Sequence, residues 1–408
     1  MSGMRNLVFA VLVAFIASFF LTAASVRALA PAPPLQAEVN LVSSTFTIPG
    51  HPPAIPMPSS GSMAVAVEGA GVVAQKNGSQ VGAIGSIAKI MTALLVLRAH
   101  PLAPGAQGPT LTINAADVAD YERVVAEDGS SVAVTLGEKL TERDLLLGLL
   151  LPSANNFADL LGTWVAGSDG AFVAQMNAQA QALGMNSTHF ADTSGYSSQT
   201  VSTPLDLITL GRVALANPTL AQLVRTQQAT MTNGETIYNL DSLLSTPGWL
   251  GIKTGETGAA GACLLFAARE QVAGGHFVTV IGAQLGASSL SSVFSSVSRA
   301  VTATVDASTL FGPAALPMTI NGYLRTAWGS ASHVTPVMAG NPQIVVFPGE
   351  TVDALLTISA TSAENGLSPG HRVGEVTLWE GGQVVARWNV LLNSPIKPAP
   401  IGWRILND

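Results

Sequence analysis

Three short groups of residues carry the chemistry available to this sequence: Ser86-Ile87-Ala88-Lys89, Ser153-Ala154-Asn155 and Lys253-Thr254-Gly255. A serine hydroxyl is a weak nucleophile until a base takes its proton, and a neutral amine can be that base. Residues three apart share one face of a helix, so the Ser86 hydroxyl and the Lys89 amine meet if this stretch is helical. Burial lowers the proton affinity of a lysine and a nearby ammonium lowers it further. Lys253 would supply that second charge if the groups converge. A serine at the positive end of a helix also suits the oxyanion of acyl transfer.

Each group has an ordinary reading when taken alone. Lys89 could be a lysine that snorkels out of an apolar helix. Ser153-Ala154-Asn155 could be a helix cap, and Lys253-Thr254-Gly255 an exposed strand end. A second Ser-x-x-Lys, Ser394-Pro395-Ile396-Lys397, lies among prolines where no helix can align the two side chains, and reads as chance. The first three groups together are more specific, because each falls on the kind of element its task requires. Gly82 and Gly85 let the chain turn sharply into an apolar helix from Ser86 to about Leu97. Pro152 puts Ser153 and Asn155 on a loop between two helices, and Lys253 to Gly255 closes a strand.

The surrounding elements follow from local pattern. Met63 to Val67 and Gly71 to Gln75 read as a hairpin, and Thr141 with Asp144 as a capping box before the leucine run to Leu151. Asp169 to Leu183 reads as a helix ended by Gly184, and Thr203-Pro204-Leu205-Asp206 as a helix start. Leu250 to Gly255, Ala262 to Arg269 and His276 to Leu285 read as strands. Strands at both ends with helices between predict an α/β (α+β) domain with a mainly antiparallel sheet and a helical lobe. Beyond about Leu316 the texture is β-rich, with Gly381-Gly382 as a hairpin turn, which predicts a small C-terminal all-β, sandwich-like domain. The expected organisation is a signal peptide or signal anchor over 1–30, a Pro-rich linker over 31–60, a catalytic domain over 61–312 and the β domain over 313–408. Because all three groups precede Leu310, a chain ending near Pro313 is expected to keep its chemistry.

Composition narrows the partners. With charged residues at 11% and a formal net charge of -7, the chain offers no basic face for nucleic acid. The lone Cys263 reads as a small buried hydrophobe. Arg5, the uncharged run Leu7 to Ala24 and Ala28-Leu29-Ala30 read as an export signal, cleaved or kept as an anchor.

Gly85-Ser86-Ile87-Ala88-Lys89-Ile90-Met91-Thr92-Ala93 resembles the nucleophile helix of the low-molecular-mass penicillin-binding D-alanyl-D-alanine carboxypeptidases. Leu149 to Asn155, Gly251 to Gly255 and Leu183 to Phe190 resemble further blocks of that family, over roughly Met63 to Leu310. The resemblance implies a DD-peptidase/β-lactamase-like fold, a peptidoglycan stem-peptide substrate, covalent inhibition by β-lactams, and no metal or organic cofactor. It implies that Ser86 forms the acyl-enzyme, Lys89 accepts its proton and Ser153 relays a proton to the leaving D-alanine. Asn155 would bind the peptide, Lys253 with Thr254 and Gly255 would take the terminal carboxylate and substrate backbone, and the amides of Ser86 and Glu256 would form the oxyanion hole. Two residues depart from the family pattern: Glu256 stands where an aromatic or His is frequent, and Asn156 where Asp is frequent. An endopeptidase would share every motif. A β-lactamase would need a deacylating glutamate, and none occurs between Glu142 and Glu235.

Overall fold

The computed structural model describes residues 2–29, 35–41, 45–272, 275–311, 320–337, 344–359, 363, 365–380 and 383–406. It divides into two units: 51–310 with 345–348, and 1–50 with 311–344 and 349–408.

In the larger unit, β3 (Ser62–Val67) and β4 (Gly71–Lys76) form the expected hairpin. The chain then runs into α2 (Lys89–Ala99), α3 (Ala115–Ala126), α4 (Glu142–Leu150), α5 (Asn155–Ala166), α6 (Asp169–Ala182) and α7 (Pro204–Ala216). It returns as β5 (Trp249–Thr257), β6 (Gly261–Gln271) and β7 (Phe277–Ala287), and ends in α8 (Leu290–Ala307). The strands join in the order β5-β6-β7-β3-β4, all antiparallel. Period-two alternation splits the sheet between two cores. Ala64, Ala66, Leu265, Ala267, Ile281 and Ala283 face the helical lobe, whereas Met63, Val65, Val67, Leu264, Phe266 and Val280 face Val293, Val297 and Ala300 of α8. With both faces covered, β3 is buried at every residue.

The helix signals act as read. Thr141 caps α4 in a capping box with Asp144, and Thr203 caps α7 with Pro204 in its first turn. Cys263 is buried, and burial pushes its thiol up to about 11.

The smaller unit overturns the reading of 31–60 as a linker throughout. Following α1 (Ser2–Leu29), β1 (Gln36–Leu41) and β2 (Thr45–Thr47) are strands of its sheet. The remaining strands are β8 (Ile320–Arg325), β9 (Ala331–Val337), β10 (Thr351–Ile358), β11 (Arg372–Glu380) and β12 (Gln383–Leu392). Their order is β1-β8-β9-β12-β11-β10-β2. Both early strands contain no proline, so their N–H groups can enter the ladder; the prolines punctuate the chain around them. Glu380 pairs with Gln383, while Gly381 and Gly382, like Ala30 and Pro31, lie outside the described residues. Ser394, in the chance Ser-x-x-Lys, donates its hydroxyl to Ser332 at 3.0 Å in a non-helical stretch.

The Asn6–Val26 stretch of α1 has a mean hydropathy of 2.6 and is long enough to cross a bilayer, which fits a signal peptide or an anchor.

Candidate active site

The nucleophile segment departs in one detail from a helix starting at Ser86. Gly85–Ala88 is a 3-10 turn, and the α-helix begins at Lys89. Side chains three apart eclipse in a 3-10 turn, which brings Ser86 and Lys89 together more directly than an α-helix would. Lys89 Nζ lies 2.8 Å from Ser86 Oγ, 2.7 Å from Asn155 Oδ1 and 3.0 Å from the Ser194 carbonyl oxygen. The last two groups only accept. A neutral amine donates its two protons to them, and its lone pair then faces the Ser86 hydroxyl.

Burial favours the neutral amine. Lys89 is fully buried, and its proton affinity is held well below the ordinary lysine value, first by desolvation and then by the Lys253 charge, against the opposing pull of Asp192 and Asp159. That coupling brings Lys253 into the field of Lys89. Desolvation also lowers Lys253, to about 7, with Asp241 opposing. Lys253 Nζ donates to the Thr254 carbonyl at 3.1 Å. Lys253, Thr254 and Gly255 sit within β5 rather than at its end, and β5 is an edge strand of its sheet.

Two glycines let this strand abut the nucleophile turn. A Cβ on Gly255 would lie 3.0 Å from the Ser86 amide nitrogen and 2.7 Å from the Ile84 carbonyl oxygen. One on Gly85, whose φ is +52°, would lie 3.3 Å from the Glu256 amide nitrogen. The two amides named for the oxyanion hole are therefore drawn to one place, while the Glu256 side chain is exposed.

Ser153 sits in the loop after α4 with φ +70°, a strained value for a non-glycine residue, and strain of this kind concentrates at functional sites. Its hydroxyl is buried and has no hydrogen-bond partner among the described residues. Asn155 starts α5, and its amide donates to the Ser130 carbonyl at 2.7 Å. The departure at Asn156 has a consequence: its amide group donates to the Val132 carbonyl at 2.9 Å and accepts from the Val132 amide at 3.2 Å. A carboxylate could not make the first of these bonds.

The sequence reading missed the loop 191–200. There the Asp192 carboxylate gathers Ser194 Oγ at 2.9 Å and the Tyr196 amide at 2.8 Å. The loop it folds carries the Ser194 carbonyl that holds Lys89. Gly195, with φ +82°, packs so tightly that a Cβ would lie 1.9 Å from the Gly85 carbonyl oxygen. The local sign was the Asp-x-Ser-Gly run itself, which is turn chemistry with no period to reveal its partner. Gly195→Ala is expected to cost about 1–3 kcal/mol as an overpacked contact, lowering the melting temperature of the larger unit by several degrees and slowing acylation of Ser86. Thermal unfolding together with penicillin-labelling rates checks both effects.

A family of known proteins, the D-alanyl-D-alanine carboxypeptidases (Peptidase_S11), matches residues 51–284 of the chain. The chain belongs to this family. Among the family's curated members, the D-alanyl-D-alanine carboxypeptidase of Streptomyces sp. is 35% identical over 223 residues, covering 50% of this chain and 73% of that one. The D-alanyl-D-alanine carboxypeptidase DacB2 of Mycobacterium tuberculosis is 42% identical over 157 residues, covering 37% of this chain and 53% of its own length. The D-alanyl-D-alanine endopeptidase of Pseudomonas aeruginosa is 32% identical over 241 residues, covering 56% and 74%. The crystal structure of the Streptomyces K15 DD-transpeptidase superposes with a TM-score of 0.55 at 30% identity, covering 61% of this chain and 97% of that one. As a carboxypeptidase-family member, the chain has the mixed helix and antiparallel-sheet fold of the penicillin-binding serine peptidases.

Proposed function

We propose that this protein is a serine-type D-Ala-D-Ala carboxypeptidase that removes the terminal D-alanine from peptidoglycan stem pentapeptides through an acyl-enzyme on Ser86. The observation that carries this reading is the fully buried Lys89 amine, held 2.8 Å from Ser86 Oγ with its other contacts going to acceptors. Lys89 takes the Ser86 proton as Oγ attacks the penultimate D-alanine carbonyl. The Ser86 and Glu256 amides hold the oxyanion, where one such donor is typically worth ~3 kcal/mol. Lys253 and Thr254 take the substrate carboxylate, Asn155 holds the peptide amide, and Ser153 relays the proton to the departing amine of D-alanine. Water then attacks the ester, Ser86 regains its proton, and the tetrapeptide leaves.

The apolar α1 supports export, so the substrate would be met in the cell wall or periplasm, with α1 cleaved or kept as an anchor. The endopeptidase among the relatives supports a second reading, cleavage of cross-links by the same site. Incubation with a pentapeptide ending in D-Ala-D-Ala, and separately with a cross-linked dimer, distinguishes them: free D-alanine from the pentapeptide is expected, and a protein releasing none would overturn the carboxypeptidase reading.

β-Lactams would acylate the same serine. Glu142, before the site loop, is buried in the first turn of α4, and no glutamate occurs between it and Glu235. A penicilloyl ester should therefore wait for water without a dedicated carboxylate base. A chromogenic cephalosporin should give a burst of about one equivalent per enzyme followed by a slow phase; sustained rapid turnover would mean a β-lactamase.

A further inference from the structure

Loop 191–200 meets the nucleophile helix twice. The Thr193 carbonyl accepts the Thr92 hydroxyl at 2.6 Å, and the Ser194 carbonyl accepts Lys89 Nζ at 3.0 Å. Residues three apart on one face of α2 thus hold two successive carbonyls of a segment that has almost no ladder of its own. Its shape comes from one carboxylate. One oxygen of Asp192 accepts from Ser194 Oγ (2.9 Å), the Tyr196 amide (2.8 Å) and the Ser197 amide (3.3 Å), while the other accepts the Thr200 hydroxyl. From the neighbouring helix, Asp159 accepts the Thr193 hydroxyl.

We infer that Asp192 is a positioning residue for acylation: it folds the loop that presents the Ser194 carbonyl to Lys89, and its negative charge balances the Lys253 ammonium across the base. The inference rests on the acyl-enzyme reading and names what sets the base in that reading. A turn anchor with no link to the reaction would make the same hydrogen bonds, so geometry and charge must be separated. The charged and titratable groups around Lys89 are Lys253 on β5, Asp159 on α5 and Asp192 on the loop. Beside them, a cavity of about 350 Å³ is lined by Arg123 of α3, Glu127 just after that helix, Asp169 of α6 and Tyr196. Asp192 and Asp159 favour the protonated amine, and Lys253 disfavours it. Removing the Asp192 charge leaves Lys253 less opposed, so Lys89 should lose its proton at lower pH.

The test is the rate of Ser86 acylation by penicillin across pH in wild type, Asp192→Asn and Thr200→Val. In Asp192→Asn an amide oxygen still accepts backbone N–H groups but the charge is gone. Its acid limb should move to lower pH, and its plateau should fall roughly ten- to hundredfold through misplacement of the amine. Thr200→Val keeps the charge and removes one of its partners, so its plateau should fall with the acid limb unmoved. An Asp192→Asn limb at the wild-type position, with or without a rate loss, overturns the inference. If Asp192→Asn does not fold, a Thr200→Val plateau equal to wild type overturns it instead. Absence of a Ser86 adduct in the wild type would defeat the acyl-enzyme reading and this inference with it, whereas an adduct with an unmoved limb in Asp192→Asn would defeat this inference alone.

Discussion

Penicillin treatment of the purified protein should leave one penicilloyl group, located by mass spectrometry on the peptide that carries Ser86, and none in Ser86→Ala. The lactam carbonyl is attacked by Oγ, the ring C–N bond breaks, and the nitrogen stays tethered to the adduct, so the ester persists long enough to be seen. Ser153 is the competing hydroxyl, since it is buried and lies two residues before Asn155. Among the described serines, Ser86 is the one whose hydroxyl meets a buried amine whose proton affinity desolvation lowers. Ser394, with Lys397 three residues later, sits outside any helix and donates to Ser332 instead. An adduct on Ser153, or one retained in Ser86→Ala, would remove Ser86 from the role of nucleophile.

Replacing Lys89 should be nearly as damaging, and the two informative replacements fail for different reasons. A guanidinium stays protonated at every pH the fold tolerates, so Lys89→Arg has charge and donors but no lone pair. Lys89→Met has neither charge nor base, and fills much of the same volume. Each should slow acylation by ~10² to 10⁴, the usual worth of a positioned base. Stability should separate them. The amine is fully buried beside a second lysine, an arrangement that desolvation makes costly, so an apolar side chain there should melt close to wild type or above it. Arginine must fit a larger, always charged group into the same space and should melt lower. Stopped-flow acylation and thermal unfolding of both variants check the pair; wild-type acylation by Lys89→Met would mean that another group takes the proton.

The parts of the site that could be read from the sequence are those that local spacing determines. Ser86 and Lys89 lie one turn apart, Asn155 follows a proline that must end a helix, and Lys253 to Gly255 sits in an apolar run. Each is a statement about a few adjacent residues. The loop at 191–200 escaped because Asp192 acts on groups two to eight residues away through irregular backbone, and because the contact of Gly195 with Gly85 joins segments with no shared pattern. The 3-10 start of the nucleophile segment was likewise invisible, since an apolar helix and a 3-10 turn are written with the same residues. In the smaller unit, Gln36–Leu41 was hidden by the prolines on either side and by the distance to its partner: Gln36 pairs with Arg325.

That pairing sets an order of events at the ribosome. Gln36–Leu41 is made early, yet its neighbour in the sheet among the described residues, Ile320–Arg325, appears after the whole of 51–310 has been synthesised. All of 51–310 can therefore be made while the smaller unit still waits, and throughout that wait the first strand is an unpaired edge, the kind of segment that recruits other chains. Glu38 and Asn40, alternating with Ala37 and Val39, are gatekeepers well suited to that exposure. The same interleaving bears on how the protein can be cut. A chain stopped near Pro313 strands both early segments and also discards Phe347, which is buried in the core beneath α8. An excised peptidase would have to begin near His51 and replace that one aromatic plug.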